Sequence, residues 1–181
     1  MRRRGDGSPG FTLYELLLVV AMLAILAAIT IPVFSLVVAR ARSSGVAEAL
    51  GATIRDARTR AAIAAGFQYR VRAFNTAGNP PNAFRLEGMN PNVGVWPLPT
   101  DTNPPALYGV VQMYEPYVNL AQEFAGTQIL IPGGGNEFRV TFNNNGQVAA
   151  CIPANCQVQV VSGERAATIT VSAAGAVLIV K

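Results

Sequence analysis

The chain has 181 residues, 51% hydrophobic and only 13% charged, which accommodates one domain plus an extra element. It contains no histidine, so a serine–histidine–aspartate triad and a histidine-ligated metal are both excluded. Half of the net charge of +4 comes from residues 1–10, which hold Arg2, Arg3, Arg4 and Asp6, so the basic balance is weak evidence for nucleic-acid binding.

Behind that basic start, Leu16 to Ala39 form 24 residues without a charge, interrupted in character only by Thr30, Pro32 and Ser35. As a helix such a run measures roughly 36 Å, and about 20 apolar residues suffice to cross a bilayer. A secretory signal has a shorter apolar region, about 7–15 residues, so a membrane anchor is expected. Arginine counting does not settle its orientation, because Arg2–Arg4 precede the span and Arg40, Arg42, Arg55 and Arg58 follow it.

From Arg40 the pattern becomes that of an amphipathic helix. Leu50, Ile54, Ala57, Ala61 and Ala64 recur at spacings of four and three, while Arg55, Asp56, Arg58 and Arg60 fall mostly off that stripe. Gly45 and Gly51 each weaken a helix by up to about 1 kcal/mol, which makes them expected bending points. One long helix from Phe11 to about Ala65 is expected, its first half in the membrane and its second half on a globular head.

After Gly66 the sequence reads as β. In "FQYRVRA" Phe67, Tyr69, Val71 and Ala73 alternate with Gln68, Arg70 and Arg72. Further strands are expected at Ala83–Glu87, Leu107–Met113, Gln128–Ile131, Phe138–Phe142, Gln147–Ile152, Gln157–Val161, Ala167–Val171 and Val177–Val180. Seven prolines between Thr76 and Pro105 mark a loop-rich excursion. "NNNGQV" at Asn143–Val148 is a hairpin signal, and "SAAGAV" around Gly175 suggests another turn. "PGGGNEF" at Pro132–Phe138 lacks the lysine and following helix of a phosphate loop, so it reads as a turn between strands. The fold class expected is α+β, a long N-terminal helix packed on an antiparallel β-sheet head.

The stretch "PGFTLYELLLVVAMLAILAAITIP" resembles the class III signal of type IV prepilins and type II secretion pseudopilins. The resemblance implies a leader, residues 1–10, cut after Gly10 by a prepilin peptidase on the cytoplasmic face. Phe11 then becomes the N-methylated first residue and Glu15 takes the family's glutamate position. Tyr14 departs from the usual aliphatic residue. Segments 11–39, 40–65 and 66–181 follow as filament-core helix, amphipathic helix and β-rich head. A carboxylate in hydrocarbon is costly unless paired. Glu15 is therefore expected to pair with the Phe11 amine of a neighbouring subunit, which would fix one axial register. The alternative is that Glu15 snorkels to the interface. Pro32 matches the family's helix-interrupting proline, acting either as a passive kink or, as the resemblance implies, as a point of local melting during packing.

An exported head sits where disulfides persist, and Cys151 and Cys156 in "CIPANC" have a spacing that suits one across a short connection. Free thiols are the alternative, and a metal site would need two further ligands. No metal or cofactor is expected.

"EFRVTFNNNGQVAA" and the closing "ATITVSAAGAVLIVK" resemble the GspH/FimT group of minor pseudopilins, through Phe142–Gly146 and Ile169–Gly175. Some members of that group bind DNA with arginines just after the last glycine. Here Ala176, Val177 and Leu178 stand there, with Lys181 the nearest cation. Arg70, Arg72 and Arg85 are expected on a solvated sheet face rather than in a basic binding face.

These features together imply a structural, minor subunit of a type IV pilus or a type II secretion pseudopilus. The alternative is a filament-tip module binding DNA or an exported protein. An anchored enzyme finds no support, since the carboxylates are scattered. The implied partners are the prepilin peptidase, other pilins or pseudopilins, an inner-membrane assembly platform and membrane lipid, with nucleic acid not expected. The implied location is the bacterial inner membrane as a single pass, N-terminus cytoplasmic and head outside, followed by the filament.

Overall fold

The computed structural model describes residues 12–63, 66–90, 92, 96–98 and 112–181. The expected cleavage site at Gly10 and Phe11, the helix-end residues Ala64 and Ala65, most of the Leu107–Met113 strand and part of the proline-rich stretch lie outside the described residues. The chain divides into two compact units between Val38 and Ala39.

Helix α1 runs Leu13–Ile63 without a break. Up to Val38 its described side chains are exposed or nearly so. In the second unit it turns a stripe inward: Val46, Ala47, Leu50, Ile54, Ala57 and Ala61 are buried to 1% exposure or less. Four members of the stripe expected from sequence are among them. Gly51, expected to loosen the helix, has a packing role instead. A Cβ added there would lie 2.7 Å from Ile179 Cδ1, so glycine lets a strand approach the helix closely.

The remaining elements are β1 (Gln68–Phe74), β2 (Ala83–Met89), β3 (Gln112–Tyr114), β4 (Val118–Asn119), α2 (Leu120–Glu123), β5 (Thr127–Leu130), β6 (Glu137–Phe142), β7 (Val148–Ile152), β8 (Gln157–Ser162), β9 (Arg165–Val171) and β10 (Val177–Val180). They form two sheets, ordered β3-β2-β1-β6-β7 with β4 beside β2, and β10-β9-β8-β5. Every pairing is antiparallel. The fold is thus α+β, a long helix on antiparallel β-structure, with that structure divided into two sheets. The short β4 and α2 have no counterpart in the sequence reading.

Alternation explains the core. Tyr69, Val71 and Ala73 of β1 face inward with Phe84 and Leu86 of β2 and Phe138, Val140 and Phe142 of β6. Val158 and Val160 of β8 and Ile169 and Val171 of β9 close the other side of the helix stripe. Each such large side chain, once buried, stabilises by about 1.5–3 kcal/mol.

Asn82 ties the two sheets together. It sits at φ 51°, a left-handed conformation that asparagine tolerates. Its side chain donates from Nδ2 to Thr127 O at 2.7 Å and accepts at Oδ1 from Ile129 N–H at 2.9 Å. The amide therefore pairs along the outer edge of β5 as another strand would, and occupies backbone groups that an edge strand otherwise leaves open. A second tie is covalent: Cys151 in β7 and Cys156 before β8 are joined by a disulfide with Cα atoms 5.5 Å apart, where the chain passes from one sheet to the other.

Candidate functional site

The N-terminal turn of α1 is organised around Glu15. The Thr12 N–H and hydroxyl both donate to Glu15 Oε2 at 2.9 Å, and the Glu15 N–H donates to Thr12 Oγ1 at 3.3 Å. This reciprocal arrangement is a capping box, which satisfies amides that the first helical turn leaves without partners. Sequence reading gave Glu15 only an external partner, although Thr-x-x-Glu is the spacing that signals the internal one. The two roles are compatible, because Thr12 uses only Oε2.

Beyond the cap the described apolar side chains are exposed. Leu13 is 81% exposed and Ile31 69%. The most apolar 18-residue window has a mean hydropathy of 2.9 and no buried residue, so this one helix is long and apolar enough to cross a membrane. Thr30 returns its hydroxyl to Leu26 O at 2.8 Å, which removes a polar group from that surface. The helix continues through Pro32. Proline has no N–H to offer the carbonyl of Ala28, so the ladder is weakest there.

In the second unit two turns meet. The β6–β7 hairpin turns through Asn143, whose side chain accepts from the N–H groups of Asn145 and Gln147, and through Gly146 at φ 69°. Gln147, expected as strand, belongs to this turn. The β9–β10 hairpin turns through Ser172 and Gly175, the latter at φ 78°. The Val148 N–H donates across to Ala173 O at 3.0 Å. Arg58 Nε donates to Gly146 O at 3.2 Å. A Cβ at Gly175 would overlap Gly146 O and come within 3.0 Å of Arg58 Nε. Both signature glycines of the sequence therefore serve one junction, where two hairpins are seated against α1. Arg58, a surface residue by its periodicity, is the third member that sequence reading missed.

The arginines expected on a solvated face are buried. Arg70, Arg72 and Arg85 are 4%, 6% and 1% exposed. Cross-strand register places Arg70 opposite Glu87 and Arg72 opposite both Arg85 and Arg139, all on the sheet face that points away from α1. Glu87, fully buried, accepts from Arg70 Nε at 2.5 Å and from Arg85 Nε at 2.7 Å. Arg72 Nε donates to Glu137 at 2.8 Å. Trp96, Pro97 and Leu98 of the proline-rich excursion lie on the cluster. Trp96 stacks on Arg70 at 4.1 Å and Tyr117 on Arg85 at 4.2 Å, and the Pro97 and Leu98 carbonyls accept from Arg70 and Arg85. Burial pushes the Arg70 guanidinium down from its ordinary value, while the charge of Glu87 acts in the opposite sense. The face failed to read as interior because its charges are paired with one another, which is the condition on which buried charge is tolerated.

Lys181, the cation nearest Gly175 in the closing strand, is held by Glu48 at 2.8 Å. Among the described residues no group of three or more Cys, Asp or Glu could hold a metal ion.

Among solved structures, the chain is similar to the type IV minor pilin FimU of Pseudomonas aeruginosa (strain PAO1) in two crystal forms. In space group P21 the TM-score is 0.48 at 14% identity, covering 78% of this chain and 90% of that chain. In space group P65 the TM-score is 0.43 at 12% identity, covering 76% and 92%. No family model matches the chain, and no curated protein matches it. At such low identity the likeness assigns no role to any residue.

Proposed function

We propose that the chain is a pilin-like structural subunit, of the minor kind, that is processed after Gly10 and assembles into a type IV pilus or a type II secretion pseudopilus through its N-terminal helix. The observation that carries this reading is the apolar half of α1. It is uncovered along its described length, and its single carboxylate stands at its first turn. A surface of this kind has two stable environments, a bilayer and a bundle of identical helices. Exchange between them is what a filament subunit does. Export through a class III leader, methylation of Phe11, orientation with the β-rich unit outside, and contact with the peptidase and the assembly platform follow from the same reading. It includes no chemical step performed by the chain itself.

In this scheme Glu15 has two duties. It caps α1 through Oε2, and it presents its other oxygen to the Phe11 amine of the next subunit. Glu15→Leu removes both, whereas Thr12→Val removes the two hydroxyl bonds of the cap and leaves the carboxylate with its bond from the Thr12 N–H. Expected is that both variants insert in the membrane and are processed to a start at Phe11, and that only Glu15→Leu is depleted from sheared filaments, by an order of magnitude. N-terminal mass spectrometry and filament immunoblots read the two steps separately. Normal incorporation of Glu15→Leu would remove the pairing mechanism, and an unprocessed Met1 start would remove the whole reading.

A further inference from the structure

A pocket of about 220 Å³ opens where the charge-free run ends. Arg40 lines it from α1, one residue after Ala39, with Ser43 and Ser44 on the next turn. The β8–β9 hairpin supplies Arg165 and Glu164, and Lys181 follows β10. Gly163, in that hairpin, lies against Ala39, where a Cβ added to the glycine would stand 3.8 Å from the alanine Cβ. The hairpin thus brings Arg165 to the level of the first residues after the apolar run.

The charges lining the pocket are not equivalent. Lys181 is engaged by Glu48 at 2.8 Å. Neither Arg40 nor Arg165 forms an ion pair among the described residues, and Glu164 forms none with them. The Ser43 hydroxyl donates to Arg40 O at 3.2 Å, and Ser44 lines the same pocket. Two unpaired guanidiniums against the single carboxylate of Glu164, with the third cation already balanced, leave the lining net positive and suit an oxyanion. The planar fork of arginine matches phosphate oxygens in particular.

We propose that this pocket binds the phosphate of an anionic membrane lipid and so seats the β-rich unit on the bilayer surface before assembly. The inference rests on the reading of the apolar run as a membrane span. A helix that leaves hydrocarbon near Ala39 puts Arg40 among lipid headgroups, and Arg165 is carried to the same level by the hairpin. A soluble phosphate would meet the same donors, but it would not be concentrated at that level.

The test uses the full chain in vesicles of phosphatidylcholine with and without phosphatidylglycerol, followed by native mass spectrometry of the detergent-released protein. The wild type is expected to retain phosphatidylglycerol over phosphatidylcholine. Juxtamembrane cations contribute about fivefold each in affinity, so Arg40→Gln with Arg165→Gln should lower that retention by about 25-fold. Arg55→Gln, about 22 Å further along the helix, should retain lipid as the wild type does. A double variant that inserts normally and keeps its phosphatidylglycerol overturns the pocket while leaving the span intact. A wild type that enters neither kind of vesicle overturns the span reading on which the pocket depends. Inorganic phosphate that raises the melting temperature of the micellar protein, and displaces the lipid at millimolar concentration, overturns the lipid as the source of the ligand.

Discussion

Tyr117 buries its hydroxyl with no hydrogen-bond partner among the described residues. The ring lies over the Arg85 guanidinium and 6.2 Å from the ring of Phe74, so its apolar faces are well used and its polar tip is not. Burial pushes its pKa up to about 12, with the charges of Glu87 and Glu137 adding to the rise and Arg85 opposing it. In the unfolded chain a tyrosine titrates near 10. The folded state therefore holds its proton longer. The stability associated with that proton is complete below about pH 10 and is lost as pH climbs towards 12. Subtracting the alkaline absorbance titration of Tyr117→Phe from that of the wild type should isolate a phenol ionising late. A difference curve centred near 10 would contradict the buried placement. At neutral pH the same variant loses no hydrogen bond, so its melting temperature should equal or slightly exceed that of the wild type.

At the scale of the element, the junction of the two hairpins with α1 concentrates constraint in Gly175. Alanine there must adopt a left-handed backbone, at roughly 1–2 kcal/mol, and must also push its Cβ against the carbonyl of Gly146. Gly163 offers the matched comparison: its φ is also positive, at 56°, but its nearest neighbour would be 3.8 Å away. Gly175→Ala should therefore cost at least about 2 kcal/mol and Gly163→Ala about half of that, read as shifts in the urea midpoint. Equal shifts would mean that backbone strain alone operates and that the hairpins are not seated against each other. Sequence signals announced each of these turns, through Asn-Gly in one and glycine after Ser-Ala-Ala in the other. They could not announce that the turns meet, because the contact joins residues far apart in the chain. Strand positions were legible for a related reason: inward residues alternate with outward ones in β5, β6, β8 and β9. In β1 and β2 the alternation described only the chemistry of the two faces. Both faces are buried there, and the arginine face is interior because Glu87 and the strap around Trp96 complete it.

Over the whole molecule, the division between Val38 and Ala39 separates two kinds of surface. Among the described residues, every buried apolar core residue lies at or beyond Val46, whereas the large apolar side chains between Leu13 and Val37 are exposed. Composition made that division readable, because a charge-free run of 24 residues is its own signal. What covers the run is not written in its periodicity, because its described side chains are exposed on every side of the helix. The consequence is a specific expectation about truncation. A chain beginning at Ala39 keeps the helix stripe, both sheets, the disulfide and the Asn82 tie, and it discards the exposed apolar surface that water disfavours. It should be monomeric without detergent and melt cooperatively within about 5 °C of the full chain in micelles, a difference of roughly 1–2 kcal/mol for a domain of this size. Size-exclusion chromatography and a thermal melt followed by near-ultraviolet circular dichroism read the two properties. Aggregation, or a melt with no cooperative transition, would mean that residues before Ala39 take part in folding the β-rich unit. The apolar half of α1 could then not be treated as a surface reserved for membrane and filament.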